Sequence, residues 1–297
     1  MSRVFAIIFT KIFCEQTKIS RVCINTVCKI PVLSHYTKGG TQMSTKTDLA
    51  KEIIAGIFPE YSKKRDFLFR STEISEVIIE TDEDSALFGK PKGRYVTVEA
   101  DFPRFAFEKF DEEVLAAASE IEKMLPEAGN ILAVGIGNDA LTADSIGPLA
   151  AENLFAGEFS GRKLFSAAPG VSGKTGIEPS VFVSALAEKL SPAAVIIIDS
   201  LTAEEISHVC RSIQLCDCGI APGSGFGKAA EEISEATLGI PVVAIGTPTV
   251  TRMGDSGFVA PNDIDFLASR AAKLIACAVN LAVFPGMGLD LIKGIII

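Results

Sequence analysis

Histidine is scarce: His35 and His208 are the only two among 297 residues. A His-rich metal centre or a Ser-His-Asp triad therefore has little to draw on. Cysteine spacing excludes a zinc motif too. The seven cysteines form no C-x-x-C and no Cys–His pair at zinc-ligand spacing, and Cys216 and Cys218 are separated by a single residue. They are expected to be reduced, small and buried, in an intracellular chain. No metal and no cofactor is expected. Positive charge is also short, with 28 Lys and Arg against 37 Asp and Glu and a net of −9. Such a surface is a poor partner for a nucleic-acid backbone. No unbroken apolar run reaches the roughly 18–20 residues that a membrane-spanning helix requires, so no membrane contact is expected. Internal repeats and low-complexity linkers are absent.

What is present is an ordinary globular composition, 48% hydrophobic and 22% charged, enough for one large domain or two small ones. Residues 1–42 depart from it. They hold six basic side chains and one acid, leaving 22 basic against 36 acidic residues in the remainder. Their basic start and the apolar stretch from Val4 to Phe13 hint at a signal peptide. Lys11 interrupts that stretch, however, and no small-residue cleavage site follows. Lys38-Gly39-Gly40 stands just before Met43, and such codons can spell a purine-rich ribosome-binding site. The expectation is a translated leader over 1–42 and a single α/β domain over 43–297.

Apolar periodicity alternates between strands and helices. Helices are expected at Asp48–Ile57, Asp111–Met124, Asp144–Leu154, Glu178–Leu190 and Pro261–Phe284. Strands are expected at Glu76–Glu80, Arg94–Ala100, Asn130–Ile136, Ala193–Ile198, Ser212–Cys216 and Pro241–Ile245. The fold class is α/β, a mostly parallel sheet flanked by helices, of a phosphorylase- or hydrolase-like kind. In such sheets functional residues gather beyond the carboxyl ends of strands.

Four loops meet that rule. GIGNDALTADSIGP (135–148) lacks the third glycine of a dinucleotide fingerprint, because Ala140 occupies its place. Its Asp144 is either the cap of the next helix or a site residue. IIIDSLT (196–202) puts Asp199 directly after an apolar strand. CDCGIAPGSGFGK (216–228) fails as a phosphate loop, with Pro222 where glycine is needed and Ala229 where Ser or Thr is needed. AIGTPTV (244–250) is the fourth. Between the first two lies PGVSGKTGIEPS (169–180), with Thr175 and Glu178 as cap or site residues. Two aspartates on neighbouring strand ends suit acid–base work: if close, they share a proton and titrate as a unit.

The motifs TDLAKE (47–52), GKPKGRYVTVEA (89–100), VGIGNDALTADSIGP (134–148), APGVSGKTGIE (168–178), IDSLTA (198–203), QLCDCGIAPGSGFG (214–227) and TLGIPVVAIGTPTV (237–250) follow one another in family order. Together they resemble the germination proteases of spore-forming bacteria. The resemblance implies a cytoplasmic endopeptidase of the forespore and spore core. It would degrade small acid-soluble spore proteins, and would be made as a self-processing zymogen assembled as a homotetramer. It implies Asp144 and Asp199 as the catalytic pair, and TDLAKE as a substrate-like self-cleavage site cut at Asp48–Leu49, behind a short pro-segment. Substrate contacts are expected from Gly137, Asn138, Lys174, Thr175, Glu178, Asp217, Gly223, Ser224 and Gly225, with Lys174 or the glycine-rich loops receiving the substrate's acidic side chain. The chain departs from the family pattern at Cys218, at Lys228-Ala229-Ala230, and at Ser145 and Ser200 beside the two aspartates. Two alternatives stand: a hydrogenase-maturation-type endopeptidase, suggested by ILAVGIGNDALTADSIGP, and an inactive binding homologue.

Overall fold

The computed structural model describes residues 47–57, 63–102, 110–223, 231–252 and 257–296. The expected leader, Ser224 and Gly225 lie outside the described residues. In chain order the elements begin with α1 (Ala50–Ile57), β1 (Lys64–Phe69), β2 (Thr72–Ile79), α2 (Asp82–Phe88), β3 (Gly93–Glu99) and α3 (Asp111–Glu122). There follow β4 (Ile131–Gly135), α4 (Ile146–Glu152), β5 (Gly157–Phe159), β6 (Arg162–Ala167), α5 (Ser172–Thr175), α6 (Pro179–Leu190) and β7 (Ala194–Ala203). The chain continues through β8 (Ser212–Cys216), α7 (Glu235–Leu238), β9 (Val242–Arg252), β10 (Phe258–Val259), α8 (Ile264–Val283) and α9 (Leu289–Ile296).

The ten strands of the described residues join one sheet in the order β1-β2-β3-β8-β9-β7-β4-β6-β5, with β10 pairing beside β9. The α/β class with a helix-flanked sheet is as expected. Its parallel character is confined to the centre, where β9, β7, β4 and β6 run parallel. Both flanks are antiparallel. For the outermost pairs, β1–β2 and β5–β6, the reason is connection length. Parallel neighbours need a long crossover, whereas the two-residue turn from β1 to β2 and the short link from β5 to β6 allow only hairpins.

The strands β4 and β7 are buried along their whole length, as expected of central strands covered on both faces. One face packs on α3, α4 and α8, and this is the large core. The other face carries two smaller clusters: α1 with β2, β3 and Tyr95, and α6 with β4 and β7. Helix α8 has the length and apolarity to cross a membrane, but 78% of its apolar window is buried inside the protein. It is the helix around which the large core is built, packed on α3 and α4.

Three boundaries matter for the site. Strand β7 does not stop at Ile198: it runs on to Ala203, so Asp199 sits within the strand rather than in a loop after it. Strand β9 likewise continues to Arg252 and stays paired with β7 through Thr251. The expected helix Asp144–Leu154 is split into a 3-10 turn at Thr142–Asp144 and α4. The cysteine expectation holds for Cys210 and Cys277, which are free and buried. It is overturned for Cys216 and Cys218, which form a disulfide across Asp217.

Candidate active site

Strand register builds the floor of the site. Thr97 of β3 pairs with Gln214 of β8, Gln214 with Gly246 of β9, and Gly246 with Asp199 of β7. Paired residues project to the same face of a sheet, so Gln214 and Asp199 share the face that carries α1 and α6. Between them Gly246 offers no side chain. A Cβ there would meet Leu201 Cγ at 2.6 Å and Asp199 O at 2.7 Å, so only glycine fits at this position beneath Leu201. Asp199 is 6% exposed, and its Oδ1 accepts the Ser200 N–H at 2.8 Å.

Asp144 arrives from the loop after β4. It does not cap α4: Ser145 holds the cap position, and Asp144 Oδ2 instead accepts the Asn138 N–H at 3.0 Å. Gly137 makes this turn possible. Its φ is +140°, and a Cβ there would stand 2.1 Å from Asp144 O. Thr249 Oγ1 donates to Ala143 O at 2.5 Å and pins the turn to β9. Asp144 and Asp199 line one cavity of about 420 Å³, together with Asp48, Lys90, Gly137, Asn138, Glu178, Gln214 and Gly223.

The segment Thr47–Leu49 lies across this floor. Asp48 N–H donates to Thr202 O at 2.8 Å, and Thr202 N–H donates back to Asp48 Oδ2 at 2.8 Å. Asp48 O accepts from Gln214 Nε2 at 2.7 Å and from Lys90 Nζ at 3.1 Å. Leu49 is 1% exposed, sunk into the large core. Glu52, at the end of the motif, is buried and accepts from Thr47 Oγ1 and from the N–H groups of Glu204 and Glu205. His208 Nδ1 meets the same carboxylate. The one histidine of the acidic body thus anchors the segment Thr47–Glu52.

The electrostatics are those of crowded carboxylates. Burial pushes the Asp199 carboxyl well above the ordinary 3.8; the Asp144 charge adds to this and Asp48 adds less, while the Ser200 N–H opposes it. Lys90 is depressed by burial, with Asp48 partly offsetting that. Among the described residues no group of three or more His, Cys, Asp or Glu is placed to hold a metal ion.

Of the expected contacts, Gly137, Asn138, Glu178 and Gly223 lie on the cavity. Lys174 is instead paired with Asp139 on the surface. Thr175 closes the short α5, where its Oγ1 accepts the Ile177 N–H at 3.1 Å. Asp217 is exposed and ties the Arg94 N–H at 2.7 Å. Lys90, Thr202 and Gln214 were not singled out in the sequence. A signal for Gln214 existed: it is the polar residue inside the strand SIQLC, and a buried amide needs partners.

A helix-flanked α/β sheet with two carboxylates facing a cleft, and a chain segment lying in that cleft, has the form of a peptidase. The comparisons place it further. The family model described as germination protease matches residues 41–273. A germination protease of Clostridium perfringens (strain ATCC 13124) is 30% identical over 304 residues, covering 81% of this chain and 91% of that relative. One from Bacillus subtilis (strain 168) is 39% identical over 210 residues, 65% of this chain and 56% of the relative. One from Priestia megaterium is 34% identical over 270 residues, 78% and 70% respectively. Among solved structures, a [NiFe] hydrogenase maturation protease HycI from Thermococcus kodakarensis KOD1 is 20% identical with a TM-score of 0.37, covering 54% of this chain and 98% of its own. The chain belongs to the germination protease family and is a protease.

Proposed function

We propose that this protease cuts small acid-soluble spore proteins during germination, after clipping its own chain between Asp48 and Leu49. The observation that carries the reading is the seating of TDLAKE across the strand row, with Asp48 in the cavity that Asp144 and Asp199 line. In this reading the pair shares one proton, held by Asp199, the carboxyl that burial drives upward. Asp144 takes a proton from a water, which attacks the peptide carbonyl, and Asp199 protonates the leaving nitrogen. The substrate's acidic residue occupies the place of the Asp48 carboxylate, held by Thr202 N–H, with Lys90 Nζ 3.9 Å from its other oxygen. The apolar residue that follows takes the place of Leu49. Gly137, Asn138, Glu178 and Gly223 line the path of the bound strand.

The test is incubation with a small acid-soluble spore protein, followed by mass mapping of the fragments. The expected cut lies between an acidic and an apolar residue within a Thr-acid-apolar-Ala motif. Asp144→Asn and Asp199→Asn should each lower turnover by at least about 10³-fold. Activity surviving both substitutions rejects the carboxylate pair. Neutralising the substrate's acidic residue should slow cleavage sharply, and unchanged rates reject the assigned pocket. The same reading carries a homotetramer in the forespore and spore core. Light scattering on the purified chain decides the assembly, and fluorescent fusion in sporulating cells decides the place.

A further inference from the structure

We propose that Gln214 and Lys90 form the oxyanion hole of this site, polarising the scissile carbonyl of Asp48 and of the substrate residue that takes its place. The proposal rests on the reading that Asp48–Leu49 is the bond cut. Its basis is the pair of donors converging on one oxygen: Gln214 Nε2 at 2.7 Å and Lys90 Nζ at 3.1 Å from Asp48 O.

The donors come from different parts of the fold. Gln214 rises from β8, and Lys90 from the link between α2 and β3. The amide of Gln214 is oriented by a second bond, since its Oε1 accepts the Ala50 N–H at 2.9 Å. That bond turns Nε2 toward Asp48 O and fixes which end of the amide donates. Gln214 and Asp199 stand on either side of Gly246 in one row, about 10 Å apart at two strand spacings. The peptide at Asp48 presents its carbonyl oxygen to Gln214, and Asp48 lines the same cavity as Asp144 and Asp199. The Lys90 side chain is 18% exposed, so its ammonium acts in a largely water-free setting. There a fixed N–H donor favours a full negative charge over a neutral carbonyl.

The step balances as follows. Water oxygen bonds to the carbonyl carbon as its proton passes to the ionised carboxylate. The C=O pair moves onto oxygen, and the resulting oxyanion is held by Gln214 and Lys90. When that pair returns, the C–N bond to Leu49 breaks, and the nitrogen takes the proton of the other carboxyl. One water is consumed, and the proton has changed sides of the pair.

The experiment follows self-cleavage of the full chain by intact mass, and measures kcat and KM on a peptide containing Thr-Asp-Leu-Ala-Lys-Glu. Gln214→Glu keeps the acceptor for Ala50 N–H and loses the donor, Gln214→Met loses both without adding charge, and Lys90→Met removes the cation at similar length. Each is expected to lower kcat by about 10²–10³-fold with KM changed only a few-fold, and Lys90→Arg to recover part of the loss. Thermal melts establish that each variant is folded, and Lys90 supplies an independent arm if a Gln214 variant is not. Folded Gln214→Met and Lys90→Met with wild-type kcat, beside an inactive Asp199→Asn, overturn the oxyanion hole and leave the protease reading standing. A rise in KM at constant kcat also overturns it, because the two residues would then only hold substrate. A wild type that leaves the Asp48–Leu49 bond and the peptide intact overturns the underlying reading and this inference together.

Discussion

At the scale of single residues, Asp199 is where function and stability oppose each other. Its carboxyl is driven upward by burial and by the facing Asp144 and Asp48. A carboxyl whose folded value is raised contributes stability that is complete below the unfolded value, near 3.8, and is lost as pH rises through the folded value. Asp199→Asn should therefore melt higher than the wild type at pH 7. It should match the wild type more closely near pH 3.5. A melting series in pH checks this, and a variant less stable than the wild type at pH 7 contradicts the buried, strained carboxyl. The buried thiols of Cys210 and Cys277, both pushed up to about 12 by burial, have no such role. They are inert packing at neutral pH.

At the scale of elements, the junction of β4 and α4 sets where Asp144 stands. Gly135 and Gly147 face one another so closely that a Cβ on Gly147 would lie 2.1 Å from Ile136 O and 2.5 Å from Ile198 O. All of these neighbours are backbone, so nothing flexible can yield. Ile146 N–H reaches Ser200 Oγ at 3.3 Å, joining the helix to the strand that bears Asp199. Gly147→Ala should cost about 3 kcal/mol, seen as an earlier midpoint in urea. The folded fraction should also lose activity, because the helix carries the Asp144 turn with it. Full activity with unchanged stability is the result that contradicts this account.

At the scale of the whole molecule, the antiparallel flank is tied to the large core by a buried ion network. Arg94 of β3 donates through Nε to Glu76 of β2 at 2.6 Å and through Nη2 to Glu120 of α3, which also receives Lys123 Nζ at 2.5 Å. The Glu120 side chain is fully buried. Burial pushes its carboxyl up, but Lys123 and Arg94 prevail and hold it below the ordinary 4.5. A depressed carboxyl contributes stability that is present above about 4.5 and is lost as pH falls through the folded value. Glu120→Gln leaves Arg94 short of a charge partner and should cost about 3 kcal/mol at pH 7, roughly 6–12 °C. The difference from the wild type should shrink in acid. The flank matters to function because β2, β3 and β8 carry the surface against which the TDLAKE helix packs.

Much of this protein was legible as a string of residues. Helix α3, strand β8 at Ser212–Cys216 and the long helix α8 follow from local apolar period, which depends on neighbours a few positions away. The two aspartates were legible as candidates, through the family motifs TADSIGP and IDSL that carry them. The antiparallel flanks were not, because the strand KRDFLF and the short turn after it carry no periodic signature. Nor was the extension of β7 to Ala203, which exists because β9 continues beside it. Lys90, Thr202, Gln214 and the His208–Glu52 contact were decided by tertiary structure alone. Each joins residues from separate parts of the chain, more than 150 positions apart for Asp48–Thr202, Asp48–Gln214 and Glu52–His208. The physical reason is that period and propensity act within one turn or strand, while a catalytic cleft is made by which strands lie side by side and in what register.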